Sequence, residues 1–268
     1  MMNQPIMRRR FLALAGCGGL ALLGRNRINA FSEEELPLEP EVLLGGFTWI
    51  KQSCFRIQDE ETILYFDPYG VTGSPRDAHI IFVTHSHDDH CNVSAVRAVM
   101  KEGTVLVTEP ESATKLKSLG LETKTMKPGD KIEWNKLKIE AVPSYNITKT
   151  NHPKSKNYLG FVVTLSDGRR VYQAGDTDNI PEMANIETDI ALLPIGGTYT
   201  MNAVEAAQAA KVIHPAIAVP MHYGAVVGSA QDAEKFKQEL AGAVEVMIFK
   251  EGQSFPPVKT KVKNWNRQ

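Results

Sequence analysis

The chain has 268 residues, of which 43% are hydrophobic and 23% are charged, with 30 basic and 31 acidic side chains. Its three cysteines are too few for a disulfide framework, so a hydrophobic core must stabilise the fold. The length can hold one large α/β domain. No linker or block of charge interrupts residues 40–255, which predicts a single domain.

Residues 1–30 have the order of parts found in an export signal. Three arginines at 8–10 precede an apolar run from 11 to about 24, which is too short to span a bilayer. Residues 8–12 also resemble the RRxFL twin-arginine signal of exported bacterial proteins. We therefore predict cleavage near Ala30 and a periplasmic protein without a transmembrane span. Two alternatives stay open: lipid anchoring at Cys17, in a lipoprotein-like LAGC box, and a cytoplasmic protein with a basic N-terminus.

Removal of this signal would change the balance of charge. The first thirty residues contain five arginines and no acid, so 25 basic residues would remain against 31 acidic ones, a net charge of −6. An acidic surface argues against a broad nucleic-acid-binding face, so we expect no nucleic-acid partner.

The rest of the chain is predicted to form a tether at 31–44, a folded domain at 45–255 and a tail at 256–268. In chain order, the apolar patterns predict strands at 47–57, 62–66 and 79–83, a helix at 93–100, a strand at 105–107, a helix at 112–119 and antiparallel strands within 122–142. The second half is predicted to hold a hairpin at 160–173, a strand at 189–194, a capped helix at 202–213, a strand at 216–220, a helix around 233–240 and a strand at 244–249.

Four potential metal ligands follow the apolar run 79–83 within six residues: His85, His87, Asp89 and His90. His85 and His87 are two apart, so both rings face one side of an extended segment. Asp89 and His90 can then point toward a second metal. Imidazole and carboxylate together suit zinc, iron or manganese. Three of the seven histidines in so short a stretch indicate a metal site rather than a surface loop.

The motif HSHDDH at 85–90, with Gly175-Asp176-Thr177 and PMHYG at 220–224, resembles the metallo-β-lactamase superfamily. The closer resemblance is to its UlaG-like branch, the metal-dependent hydrolases of the β-lactamase fold that include ascorbate-6-phosphate lactonase. This resemblance covers about residues 45–255. It implies an α/β fold, a four-layer αβ/βα sandwich, with the active site at one rim.

The resemblance also implies two divalent metal ions, which we expect to be zinc, with manganese or iron as alternatives. His85 and His87 would hold the first metal and Asp89, His90 and His222 the second, with Asp176 bridging both. A third histidine for the first metal is usual after the strand that here ends at 143, but none follows directly. His152, a few residues on, is the candidate for that position or for contact with substrate. Without it, a single-metal enzyme is the alternative.

Two cations sharing one water would lower its pKa from about 15.7 toward 7 and supply hydroxide at neutral pH. The predicted function is hydrolysis of an ester, lactone, amide or phosphodiester bond in a small-molecule or lipid-like substrate, with Asp89 handling a proton. Tyr145 and Lys149 are candidates for binding the substrate. A redox or thiol-ester enzyme of the same fold is an alternative, disfavoured because flavo-diiron relatives carry Glu at the position of His87. A non-catalytic exported metal-binding protein is a further alternative.

Overall fold

The computed structural model describes residues 39–257, which belong to one compact unit. The predicted export signal, most of the predicted tether and all but two residues of the predicted tail lie outside the described residues. The described end of the tether is part of the fold: helix α1 (Pro40–Leu43) precedes the first strand, and Leu43 and Leu44 are buried. The folded part begins before Gly45 because these leucines bury apolar surface in the core.

Six strands form the first sheet and lie in chain order. They are β1 (Phe47–Lys51), β2 (Cys54–Asp59), β3 (Thr62–Phe66), β4 (Ala78–Val83), β5 (Met100–Thr108) and β6 (Glu122–Thr125). Strands β1 to β3 pair antiparallel, whereas β3 to β6 pair parallel. Two of the parallel connections carry helices: α2 (Val93–Val99) lies between β4 and β5, and α3 (Pro110–Leu116) between β5 and β6.

Seven strands form the second sheet. They are β7 (Lys131–Trp134), β8 (Leu137–Pro143), β9 (Leu159–Thr164), β10 (Arg170–Gln173), β11 (Ile190–Pro194), β12 (Ile217–Met221) and β13 (Glu245–Val246). They too are neighbours in chain order, with β7 to β10 antiparallel and β10 to β13 parallel. Helix α4 (Ala203–Ile213) connects β11 to β12, and α5 (Ala230–Glu239) connects β12 to β13.

The two sheets face each other across one hydrophobic core, and helices cover their outer faces. Strand β4 shows this layering, because Ile80 and Phe82 belong to the core shared with the second sheet, whereas Ile81 and Val83 pack in a separate cluster with α2 and α3. Side chains alternate along a strand, so both faces of β4 are buried and its run of apolar residues is continuous. The predicted α/β sandwich of four layers is confirmed.

Three predicted strands differ from the structure. The run 47–57 is two strands, because Gln52 adopts a φ of 55° in a tight turn that pairs Lys51 with Cys54. Residues 122–142 do not pair only with each other: helix α3 returns the chain to the first sheet, so β6 pairs parallel with β5 there, and only β7 and β8 pair antiparallel. The strand predicted at 244–249 is confined to β13.

No helix within residues 39–257 is long and apolar enough to cross a membrane.

Candidate metal centre

Strand ends from both sheets lead into one cluster of donor side chains. In the first sheet, β4 runs directly into the 85–90 motif. In the second sheet, β8 is followed by the loop that carries His152, β10 by Asp176, and β12 by His222. All seven side chains that the sequence analysis named as metal ligands lie in this cluster.

The first group of donors consists of His85, His87 and His152, whose donor atoms lie within 4.8 Å of one another. His87 Nδ1 is 3.1 Å from His85 Nε2 and 3.1 Å from His152 Nε2. Three imidazoles whose nitrogen atoms converge on one position form a donor set suited to zinc. The structure therefore brings His152 beside the two motif histidines, although it is remote from them in sequence.

The second group consists of Asp89, His90 and His222. Asp89 Oδ2 is 3.3 Å from His222 Nε2 and 3.6 Å from His90 Nε2. The same oxygen accepts a hydrogen bond of 3.0 Å from Gln52 Nε2, which fixes the carboxylate in the cluster. His222 has a φ of 59°, and this left-handed conformation is uncommon for a residue with a side chain and typical of functional sites.

Asp176 lies between the two groups. Its Oδ2 is 3.4 Å from His152 Nε2 and 3.1 Å from His222 Nε2, and its Oδ1 is 3.2 Å from His90 Nε2. The side chain is only 3% exposed, so its charge is largely withdrawn from water. Since each of its two oxygens can serve a different partner, the carboxylate has the position that a bridging ligand needs.

Four buried polar atoms of this cluster have no partner with hydrogen-bond geometry in the described part of the chain, although Asp176 lies 3.2 Å from His90 Nε2 and 3.1 Å from His222 Nε2. They are His90 Nε2, Asp176 Oδ1, His222 Nδ1 and His222 Nε2. Buried polar atoms almost always have hydrogen-bond partners in native proteins, and exceptions commonly mark the position of an ion. All four atoms belong to His90, Asp176 or His222, which are residues of the candidate metal cluster, so the residues fit divalent cations.

Hydrogen bonds behind the cluster orient two of the histidines. Asp67, at the end of β3, accepts at 2.8 Å from His90 Nδ1, so His90 presents Nε2 to the cluster. Asp67 also accepts from the hydroxyl of Thr84 at 2.9 Å. Because that hydroxyl has a single proton, its oxygen must accept from His85 Nδ1, which lies 2.9 Å away. His85 therefore presents its Nε2 lone pair as well.

The tautomer of His152 is fixed in a similar way by Asn146. The Asn146 amide NH₂ donates to Asp178 Oδ1 at 3.1 Å and to the Tyr199 carbonyl at 3.0 Å, both of which can only accept. Its oxygen must therefore face His152, where it accepts from the backbone N–H at 3.1 Å and from Nδ1 at 2.9 Å. The His152 proton then resides on Nδ1, and the Nε2 lone pair points at His87 and Asp176.

Burial lowers the pKa of some histidines of the cluster, whereas neighbouring carboxylates raise the pKa of others. Burial lowers the pKa of His152 to about 4 and, together with the charge of His90, holds the pKa of His85 well below its usual value. Burial also disfavours charge on His222, but the Asp176 carboxylate outweighs it and raises the pKa of His222 to about 9. The same carboxylate outweighs burial at His90 and raises its pKa well above the usual value. His90 and His222 thus hold protons that a bound cation would replace.

Tyr145 and Lys149, the two candidates for substrate binding, each contact a carboxylate side chain. The Tyr145 hydroxyl donates to Glu182 at 2.9 Å, and Lys149 Nζ lies 2.6 Å from Asp178 Oδ1. Both side chains lie near the His152 loop, but neither is among the donor groups. Their role in binding substrate stays a prediction.

Sequence reasoning missed the residues that orient the ligands: Gln52, Asp67, Asn146, Gln173 and Asp178. Asp67 directly follows the predicted strand 62–66, and its place at the end of a buried strand is the signal that could have identified it. Gln173 donates to Asp67 Oδ2 at 2.9 Å and accepts from the Gly175 N–H at 2.8 Å. No spacing in the sequence reveals such a contact across two sheets.

The two histidines outside the cluster have local roles. His79 Nδ1 accepts from the Ile63 N–H at 3.0 Å, and His214 ends helix α4 with a φ of 55°. Cys54 and Cys91 are buried and not joined in a disulfide. Burial raises the pKa of the Cys91 thiol to about 11, so it is protonated at neutral pH although it follows His90 directly.

Comparison with known proteins agrees with this geometry. The Beta-lactamase superfamily domain matches residues 46–222. The chain is 36% identical to a metal-dependent hydrolase of Thermoplasma acidophilum over 212 residues, 75% of this chain and 92% of the relative. It is 34% identical to a metal-dependent hydrolase of Methanopyrus kandleri over 228 residues, 78% of this chain and 98% of the relative.

Solved structures agree as well. A protein from Parabacteroides distasonis, assigned as a metal-dependent hydrolase, superimposes with a TM-score of 0.67 at 33% identity, covering 77% of this chain and 93% of the other. A metallo hydrolase from Ignicoccus hospitalis superimposes with a TM-score of 0.65 at 25% identity, covering 77% and 95%. The UlaG-like branch within the superfamily stays a prediction. The chain belongs to the metallo-β-lactamase superfamily and is a metal-dependent hydrolase.

Proposed function

We propose that this hydrolase cleaves an ester, lactone, amide or phosphodiester bond at a centre of two divalent cations. His85, His87 and His152 would hold the first cation, and Asp89, His90 and His222 the second, with Asp176 between them. The observation that carries this proposal is the convergence of seven donor side chains from four separate loops, among which His90, Asp176 and His222 have buried polar atoms without a hydrogen-bond partner in the described part of the chain. Two cations at this place would lower the pKa of a shared water and polarise the bond to be cleaved.

Hydrogen bonds from neighbouring residues would orient the ligands of the two cations. Asp67, Thr84 and Asn146 hold the rings of His90, His85 and His152 so that Nε2 faces the cluster. Preorganised ligands require no rearrangement when a cation binds, which supports affinity and geometry together. Zinc is the cation we expect, since five of the seven donors are imidazoles.

Asp89 is the residue that we propose to handle a proton. Its side chain is 20% exposed, whereas that of Asp176 is 3% exposed, so Asp89 is the carboxylate of the cluster that a substrate or water can reach. Gln52 holds one of its oxygens at 3.0 Å. A carboxylate positioned in this way can accept a proton from the attacking water and return it to the leaving group.

The test is a substrate panel measured on the purified chain, on chelator-treated chain and on a His87→Ala variant. Esters, lactones, amides and phosphodiesters are compared by kcat/KM. We expect turnover of at least one class, its loss on chelation with recovery when zinc is restored, and a fall of about 100-fold or more for His87→Ala. His214→Ala is the matched control, because His214 is an exposed histidine at the end of α4. Equal rates for His87→Ala and the wild type would contradict the proposal.

A further inference from the structure

Large apolar side chains are exposed beside the metal centre. In the described part of the chain four such residues stand out, Ile147 at 59%, Tyr199 at 36%, Val212 at 50% and Val226 at 47%. A single exposed apolar residue is ordinary on a protein surface. Val212 is such a case, on the outer side of helix α4. The other three are on loops that follow β8, β11 and β12, and we call them the apolar rim.

The loop with Tyr199 contacts both other loops of the apolar rim. Asn146, which precedes Ile147, donates to the Tyr199 carbonyl at 3.0 Å. The loop with Tyr199 begins at Gly196, where an added Cβ atom would lie 2.6 Å from Val227 Cγ2, beside Val226. The three loops are therefore neighbours, joined through the loop with Tyr199.

The loops with Ile147 and Val226 carry the ligands His152 and His222, and the loop with Tyr199 contacts the segment that carries Asp176. Asn146 carries the hydrogen bonds to His152. The Met201 N–H, at the end of the loop with Tyr199, donates at 3.1 Å to the carbonyl of Thr177, the residue after Asp176. Val226 lies four residues after His222. Each apolar side chain is thus attached to a segment that contacts or supplies a donor of the cluster.

Three lysines near these loops are each paired with a carboxylate. Lys149 Nζ lies 2.6 Å from Asp178, and Lys154 Nζ lies 2.8 Å from Glu182. Lys156 Nζ lies 2.9 Å from Glu111. An anionic group of a substrate would have to compete with a carboxylate at each of these lysines. The exposed surface beside the centre therefore favours an apolar group over an anionic one.

We propose that the apolar rim binds an uncharged alkyl or acyl portion of the substrate. This inference rests on the proposed function, since it names the substrate class of the same site. It differs from the expectation that Tyr145 and Lys149 bind the substrate, because the contact surface would be Ile147, Tyr199 and Val226.

The experiment uses alkyl hydroxamic acids, which bind metal centres through a constant head group and need no knowledge of the bond that is cleaved. Dissociation constants are measured by calorimetry on the zinc-loaded chain for acetohydroxamate to octanohydroxamate. We expect binding to tighten about two- to fourfold for each added methylene. The monohydroxamate of suberic acid has the same eight carbons as octanohydroxamate with a terminal carboxylate, and we expect it to bind at least about tenfold more weakly.

Two variants test whether the dependence of affinity on alkyl chain length arises at the apolar rim. The triple variant Ile147→Ser, Tyr199→Ser, Val226→Ser should bind acetohydroxamate as the wild type does but lose the dependence on chain length. Val212→Ser, which removes an equally exposed apolar residue away from the loops, should keep it. Thermal unfolding of both variants checks that the fold is retained.

The outcomes separate the two proposals. Affinity for acetohydroxamate without tightening along the series, or tighter binding of the suberic acid compound, would overturn the apolar rim alone. An unchanged slope in the triple variant would do the same. If no hydroxamate binds and metal analysis finds no zinc on the zinc-loaded chain, the metal centre is absent and the proposed function falls with it. If no hydroxamate binds although zinc is present, the apolar rim alone is overturned.

Discussion

Asn146 is not a member of the donor groups, but it determines which nitrogen of His152 carries the proton. Its amide is oriented by two acceptors, Asp178 and the Tyr199 carbonyl, so only its oxygen can face His152. His152 must then be protonated on Nδ1 and offer Nε2 to the cluster. Asn146 therefore acts as a positioning residue for a ligand that arrives from a loop instead of from the end of a strand.

Replacement of Asn146 by leucine should weaken the first metal site selectively. Leucine has a similar volume but leaves His152 Nδ1 without an acceptor, so we expect zinc affinity at that site to fall about 10- to 100-fold while the second site is little changed. Competition with a chromophoric chelator measures both affinities. Nitrogen NMR of the metal-free protein gives a second readout, in which His152 of the wild type should be protonated on Nδ1.

The control for this variant is Lys149→Met, which removes a partner of Asp178 but no hydrogen bond to His152. It should retain both zinc affinities. If Asn146→Leu binds two zinc ions as tightly as the wild type does, Asn146 does not position His152.

The site could be predicted from the sequence only in part, for a physical reason. His85, His87, Asp89 and His90 are adjacent in the chain, so their density alone indicates a shared ligand. Asp176 and His222 are identified only through the family resemblance. The sequence does not decide whether His152 is a ligand, because its distance to the motif depends on how a polar loop closes. Asp67 and Gln52 were missed, since their contacts join different strands.

At the scale of elements, the sequence pattern within one strand or helix is sufficient to predict structure that depends on neighbouring residues alone. The capping box of Asn202 and Glu205 begins α4 as predicted, and the hairpin of β9 and β10 turns around Asp167-Gly168. Pairing between distant strands was harder to predict. Strand β6 joins the first sheet because α3 carries the chain back across it, and no residue of β6 itself reveals that choice.

The N-terminal segment is also an element with a function that can be tested. We propose that residues 8–12 direct export by the twin-arginine route, as the resemblance to RRxFL suggests. Changing Arg8 and Arg9 together to lysine conserves charge but removes the guanidinium pair, so the protein should remain in the cytoplasm. Cell fractionation with immunodetection measures this.

Cys17→Ala separates the alternatives for that segment. Under the twin-arginine proposal it should leave soluble periplasmic protein unchanged. Release from a membrane fraction on Cys17→Ala would favour the lipoprotein alternative, and normal export of the double lysine variant would contradict the twin-arginine signal.

At the scale of the whole molecule, two sheets with one shared core make the metal centre possible. The first sheet supplies His85, His87, Asp89 and His90 from a single loop, and the second supplies the remaining three ligands from three loops. The buried side chains between the sheets, among them Phe66, Phe82 and Phe161, hold these strand ends in register. The core is therefore the scaffold that places ligands from distant parts of the chain within hydrogen-bond distance.

The number of zinc ions bound by each chain tests this account most directly. Native mass spectrometry of the zinc-loaded, desalted protein should show two ions for the wild type. It should show at most one for the double variant His90→Ala, Asp176→Ala, which removes a ligand of the second site and the bridging carboxylate. A wild-type chain without bound zinc, or a double variant that still binds two ions, would contradict the claim that these seven side chains form a dinuclear centre.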